Sequence, residues 1–188
     1  QQQQQQQQQQ HKHKQQQNNM SSNVSHKIKA RKNVNDVFIT PLKLAKNHID
    51  LHDIVDGEVW LDPCKNDGSY YNQFPSNVKK EYCEILENKD FLTYNGKVDV
   101  IVQNPPYSML DMWFKKCIEL NPRSFSMLIG VGNLTARRIE WCENAGYGIT
   151  KLRMLKVYKW YGMSYIVVFE KNKQSIMEID RKVWKEDR

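Results

Sequence analysis

Acidic side chains are missing from the first thirty-five residues, which carry Lys12, Lys14, Lys27, Lys29, Arg31 and Lys32. The remainder balances 22 basic against 21 acidic residues, so the net charge of +7 belongs almost wholly to the leading segment. A basic leader can hold a polyanion loosely, but the rest of the chain has no charge excess for that purpose. No run approaches the roughly 18 apolar residues that a membrane crossing requires, so no membrane partner is expected. The four cysteines, Cys64, Cys83, Cys117 and Cys142, form no C-x-x-C pair. That spacing excludes the common zinc and disulfide frameworks, with no metal expected, and points to an intracellular protein, nuclear or cytoplasmic rather than secreted. The chain also lacks Gly-x-Gly-x-x-Gly, the cradle that NAD and other pyrophosphates need.

What is present begins with low complexity. Residues 1–32 are rich in Gln, Asn, Ser and Lys, with too few apolar groups to offset the entropy of ordering, and read as a disordered tail. Residues 33–171 form the candidate domain, and 172–188 read as a fraying carboxyl-terminal tail. Within the domain, short apolar strands alternate with amphipathic helices, which predicts an α/β sheet. Thr40-Pro41 predicts a helix start with a hydroxyl cap, followed by Leu42, Ala45 and Ile49 on one face. Strands are expected at 58–62, 81–86, 98–102 and 125–131. Ser108 is expected to cap a helix with an apolar stripe through Leu110, Trp113, Phe114, Cys117 and Ile118. A helix over 135–145 stops at Gly146, and 150–158 pairs with 164–170 through a turn near Gly162.

Two loops carry candidate chemistry, because open α/β sheets bind ligands outside the carboxyl ends of their strands. Asp62-Pro63-Cys64-Lys65-Asn66-Asp67-Gly68 supplies an acid, a rigid turn and a glycine where a cofactor can approach the backbone. A nucleoside without phosphates suits it better than a nucleotide. Gln103-Asn104-Pro105-Pro106-Tyr107 follows the central strand. Its two prolines hold the chain extended. An amide oxygen and a neighbouring carbonyl can then accept both hydrogens of an exocyclic amine, while Tyr107 offers a flat face to a planar ring.

Asn104-Pro105-Pro106-Tyr107 resembles motif IV of the class I S-adenosylmethionine-dependent adenine-amino methyltransferases. The loop from Asp62 to Gly68 is similar to their motif I, and Phe38-Ile39-Thr40-Pro41 to their motif X, in the family's order. The resemblance implies a Rossmann-like, mostly parallel sheet of about six strands with an antiparallel carboxyl-terminal hairpin strand. It implies that Asn104 and the carbonyl of Pro105 accept from the target amine while Tyr107 stacks on the base. S-adenosylmethionine would sit over Asp62, Pro63, Cys64 and Gly68, with Thr40 and Pro41 near its methionine end, Glu84 on the ribose, and Asp90 and Phe91 by the adenine.

The sequence departs from that pattern in three places. Asn66 stands where relatives carry a second glycine. Only five residues separate Glu84 from Asp90, which implies the loss of one helix and one strand, and leaves Glu87 as an alternative ribose acid or 81–86 as a different strand of the sheet. No target-recognition domain follows, so specificity would come from a protein partner or from loops such as Lys156–Tyr161. The expected substrate is adenine in DNA, then RNA. Alternatives are a protein glutamine, or a catalytically silent subunit that binds nucleic acid or an active homologue.

Overall fold

In the computed structural model the chain divides after Asn35, and the structure describes residues 37–160 and 162–180. The expected tail over 1–32 and residues 181–188 lie outside the described residues. Six strands form one sheet: β1 (Val59–Asp62), β2 (Lys79–Tyr82), β3 (Val100–Gln103), β4 (Ser124–Gly130), β5 (Tyr147–Leu155) and β6 (Ser164–Lys171). Their order is β2-β1-β3-β4-β6-β5. The first four run parallel, and β6 lies antiparallel between β4 and β5. Chain order turns back on itself between β1 and β3, so the crevice at their carboxyl ends is the natural ligand position.

Alternation along the strands sorts two cores onto the two faces of the sheet. Leu61, Ile101 and Phe125 face α2 (Leu110–Leu120) and α3 (Ala136–Asn144), where Trp113, Phe114 and Ile139 are buried. Trp60, Val100 and Val102 face the other way, toward Ala45 and Ile49 of α1 (Leu42–Ile49). Leu42 itself is exposed, so the expected α1 stripe is narrower than its sequence suggests.

Several boundaries differ from expectation for identifiable reasons. Thr40 does not cap α1: Pro41 is the cap residue and no side chain serves it. Ser108 does not cap α2, because a 3-10 turn over Tyr107–Met109 intervenes after the prolines. Thr135 does cap α3, accepting from the Arg138 amide. The second strand ends at Tyr82 rather than Leu86, since Glu84 instead caps a 3-10 turn over Ile85–Glu87. That strand pairs directly with β1, and among the described residues no α-helix separates β1, β2 and β3, so the sheet is abbreviated as expected. The segment after Lys171 is held at least to Ile179: the Ile176 amide donates to the Ile149 carbonyl, and Met177 and Ile179 pack on the core.

Candidate active site

The loop after β1 is a set of hydrogen-bonded turns anchored on Asp62. This carboxylate is fully buried at the strand end and accepts from the amides of Cys64 and Tyr71, both at 3.2 Å. Burial nevertheless dominates over these bonds and pushes its pKa up to about 7, with Glu84 and Asp67 adding to the rise. Gly68 has φ of +87°, and a Cβ there would lie 2.5 Å from Asn72 Nδ2, so the turn requires glycine. Asn66 has φ of +48°, a left-handed conformation that asparagine tolerates, and its side chain is exposed. Its amide donates to Glu84 Oε2 at 2.8 Å, which ties the loop to the end of β2. Glu84 thus stands beside the loop, whereas Glu87 is exposed and paired with Lys65 and the Tyr82 hydroxyl.

The loop after β3 docks on the first. The Cys64 thiol donates to the Asn104 carbonyl at 3.0 Å, and burial raises its pKa well above the ordinary value. Asn104 Nδ2 donates to the Phe38 carbonyl at 3.1 Å and to Thr40 Oγ1 at 3.2 Å. The segments expected to act together, around Thr40, Asp62 and Asn104, therefore meet. Asn104 Oδ1 is buried and, among the described residues, accepts no hydrogen bond. An unfilled buried acceptor costs about 1–3 kcal/mol, which a ligand donor would recover.

Tyr107, three residues on in the same loop, lines a pocket of about 490 Å³ whose walls also include Phe38, Asn133, Trp160 and Met163. The Phe38 ring stands 6.0 Å from Tyr107 and 5.6 Å from Trp160, so three aromatic faces surround the space. Trp160 arrives on the turn between β5 and β6, which Lys156 closes by donating to the carbonyls of Trp160 and Gly162. Tyr161, also part of that expected contact loop, lies outside the described residues.

Solved structures share this arrangement of strands. One is the E. cuniculi Mtq2–Trm112 complex, responsible for methylation of the eRF1 translation termination factor, with a TM-score of 0.56 and 18% identity, over 72% of this chain and 99% of that one. Another is a Pyrococcus horikoshii protein named provisionally as an RNA methyltransferase, with a TM-score of 0.56 and 16% identity over 71% and 87% of the two chains. Magnesium protoporphyrin IX methyltransferase from Synechocystis PCC 6803, solved with bound SAM, gives 0.55 and 10% over 69% and 77%. The fold is that of the class I methyltransferases. No protein-family model matches the sequence, and no curated protein matches it.

Two expected site residues make contacts that their motifs did not announce. The ring of Phe91 is buried in the core against Trp113, 5.2 Å away. Thr40 meets the site through Asn104 rather than through the helix it precedes. Phe38 and Trp160 were legible only as part of a motif and of an aromatic stretch, and nothing local marked them as opposite walls. Asn133 gave no signal, because a short turn after β4 brings it to the pocket.

Proposed function

We propose that this protein transfers a methyl group from S-adenosylmethionine to the exocyclic amine of adenine in a polynucleotide. The observation that carries the reading is the buried Asn104 Oδ1, which accepts no hydrogen bond among the described residues, in the same loop as Tyr107, whose ring walls a pocket with Phe38 and Trp160. Bound S-adenosylmethionine supplies an activated methyl on a sulfonium. The residues present fit it: the Asp62–Gly68 loop bonds Glu84 through the Asn66 amide and Asn104 through the Cys64 thiol, and Asn104 bonds Thr40, so these loops adjoin at the strand ends. Asn104 Oδ1 and the Pro105 carbonyl accept the two amine hydrogens, which raises electron density on the nitrogen. Tyr107 holds the ring by stacking, with Phe38 and Trp160 enclosing it; base–aromatic stacking contributes about 1–3 kcal/mol per base. Positioning does the remaining work, without a strong base.

We take RNA before DNA because the Pyrococcus horikoshii likeness is named for RNA, while none of the three likenesses is named for DNA. A base rather than a protein glutamine is favoured by the three rings, which an aliphatic amide would leave largely unused. The test is calorimetric titration of S-adenosylmethionine into the full chain, followed by methyl transfer to oligoadenylate in ribo and deoxyribo form and to a glutamine-containing peptide. Transfer to either oligonucleotide supports the reading; transfer to the peptide alone overturns it. Absence of cofactor binding by folded protein would favour a silent subunit instead. Asn104→Ala is expected to abolish transfer while leaving cofactor affinity within about twofold, the margin of a group that chiefly contacts the target.

A further inference from the structure

Beneath the site, side chains from α1 and β4 form a buried polar seam through an otherwise apolar layer. His48 and His52 are four residues apart, on α1 and just after it, and Ser124 and Ser126 are two apart on β4, so each pair presents one face. His48 Nδ1 lies 2.9 Å from the Tyr70 hydroxyl and Nε2 lies 2.7 Å from Ser126 Oγ. His52 Nε2 lies 2.6 Å from the same Ser126 Oγ, and Nδ1 lies 3.0 Å from Ser124 Oγ. Ser124 donates to the Phe169 carbonyl at 3.2 Å. At the other end, Thr40 lies close enough to Tyr70 for its hydroxyl to favour the ionised phenol, against the burial that raises the Tyr70 pKa, and Thr40 Oγ1 accepts from Asn104 Nδ2.

Both ends fix the direction of this chain. The Phe169 carbonyl can only accept, so the Ser124 proton points to it and His52 Nδ1 must carry a hydrogen. His52 Nε2 is then an acceptor, filled by the Ser126 proton, which leaves Ser126 to accept from His48 Nε2–H. His48 Nδ1 accepts from Tyr70, and Tyr70 accepts from Thr40. The lone pair of Thr40 is thereby turned toward Asn104, whose nitrogen is a donor. Every member donates one hydrogen and accepts one. The opposite direction would leave the Thr40 proton without a recipient among these groups.

We propose that the Thr40–Tyr70–His48–Ser126–His52–Ser124 chain is a positioning device that, together with the Phe38 carbonyl, which also accepts from Asn104 Nδ2, holds the Asn104 amide with its nitrogen toward Thr40 and its oxygen left for the target amine. The proposal rests on the adenine-amine reading of the site, because that reading gives the buried, unfilled oxygen its task. Both imidazoles are suited to the part because burial holds them neutral. The neighbouring cations, Arg153 for His48 and Lys151 and Arg123 for His52, act in the same direction.

The test separates the chain from the chemistry. Long-range nitrogen–proton NMR of the full chain is expected to show His48 as the Nε2–H form and His52 as the Nδ1–H form across about pH 5–8, the interval where an ordinary histidine titrates. Exchange of the Asn104 side-chain amide protons is expected to be slow in the native protein and in Thr40→Ser. It should be faster by about tenfold in Thr40→Val and Tyr70→Phe, the scale of one lost hydrogen bond. Slow exchange retained in both Thr40→Val and Tyr70→Phe overturns the proposal, as does the opposite pair of tautomers. With oligoadenylate as the methyl acceptor, Tyr70→Phe should lower kcat about 10- to 100-fold with KM and cofactor affinity held, the signature of misplacement. An unchanged kcat in that variant also overturns it. If the native protein methylates no oligoadenylate, the adenine reading fails, and the exchange and tautomer measurements still decide the chain.

Discussion

At the residue scale, Asp62 is the group whose state the site most depends on. Its carboxyl, raised to about 7 by burial, is partly protonated at neutral pH in the free protein. A cationic cofactor nearby favours the ionised form, so binding should expel a proton while the free group is still protonated. Affinity for S-adenosylmethionine is therefore expected to fall as pH drops below about 7 and to level off above 8. Calorimetry in buffers of different ionisation enthalpy should show proton release at pH 6 and none at pH 8; equal release at both would place the ionisation elsewhere. Asp62→Asn should remove the pH dependence along with much of the affinity. Gly68→Ala should destabilise the fold by about 1–3 kcal/mol, the order of strain for an L-residue forced into this conformation, measured by urea unfolding. Asn66→Gly should change stability by less than about 1 kcal/mol, since asparagine already adopts the required backbone.

At the element scale, the turn between β5 and β6 carries one wall of the pocket. Lys156 braces it from within, and Lys159 holds a left-handed φ of +65° so that Trp160 can face Phe38. Trp160→Ala should raise KM for an oligonucleotide about 5- to 100-fold, the range of one lost stacking contact, without moving cofactor affinity. A change in cofactor affinity alone would mean that Trp160 belongs to the other half of the crevice.

Much of this element plan was legible in the sequence, because alternation and helical periodicity report burial directly. The stripe of α2, the central strand β3 and the antiparallel hairpin were all readable that way. The motif loops were legible because Pro105, Pro106 and Gly68 restrict backbone geometry locally. What escaped was long-range. Phe38 and Trp160 meet only through the tertiary fold, and the helix start at Thr40-Pro41 concealed that the threonine hydroxyl serves Asn104, 64 residues away. Ser124 and Ser126 carried no signal of their own, and only the face opposite, with His48 and His52, gives them partners.

For the whole molecule, the buried groups couple folding to pH. His48 and His52 have folded pKa values below their unfolded one, so unfolding takes up a proton on each when pH is below 6.5, and their contribution to stability is lost as pH falls. Asp62 opposes them: its folded pKa lies above the unfolded 3.8, so unfolding releases its proton between about pH 4 and 7. Two uptakes against one release leave a net uptake of one from these groups. Acidification from pH 6.5 to 4 should thus lower stability by about 1.4 kcal/mol per pH unit on their account. Urea midpoints across that interval would measure the slope. Asp62→Asn should steepen it to about twice that value, whereas an unchanged slope would show that Asp62 does not titrate there.

The pocket has a consequence in time as well as in space. Phe38 near the start of the domain, Tyr107 in its middle and Ser164 on its last strand all border the same cavity. A chain emerging from the ribosome cannot assemble that cavity from any amino-terminal portion. Strand β6 must also thread between β4 and β5, which forces non-local pairing to precede completion and makes for slow, all-or-none folding. The pocket is complete only once synthesis has passed residue 164, so on the proposed reading an incomplete copy would carry neither a weakened nor a misdirected version of ring recognition.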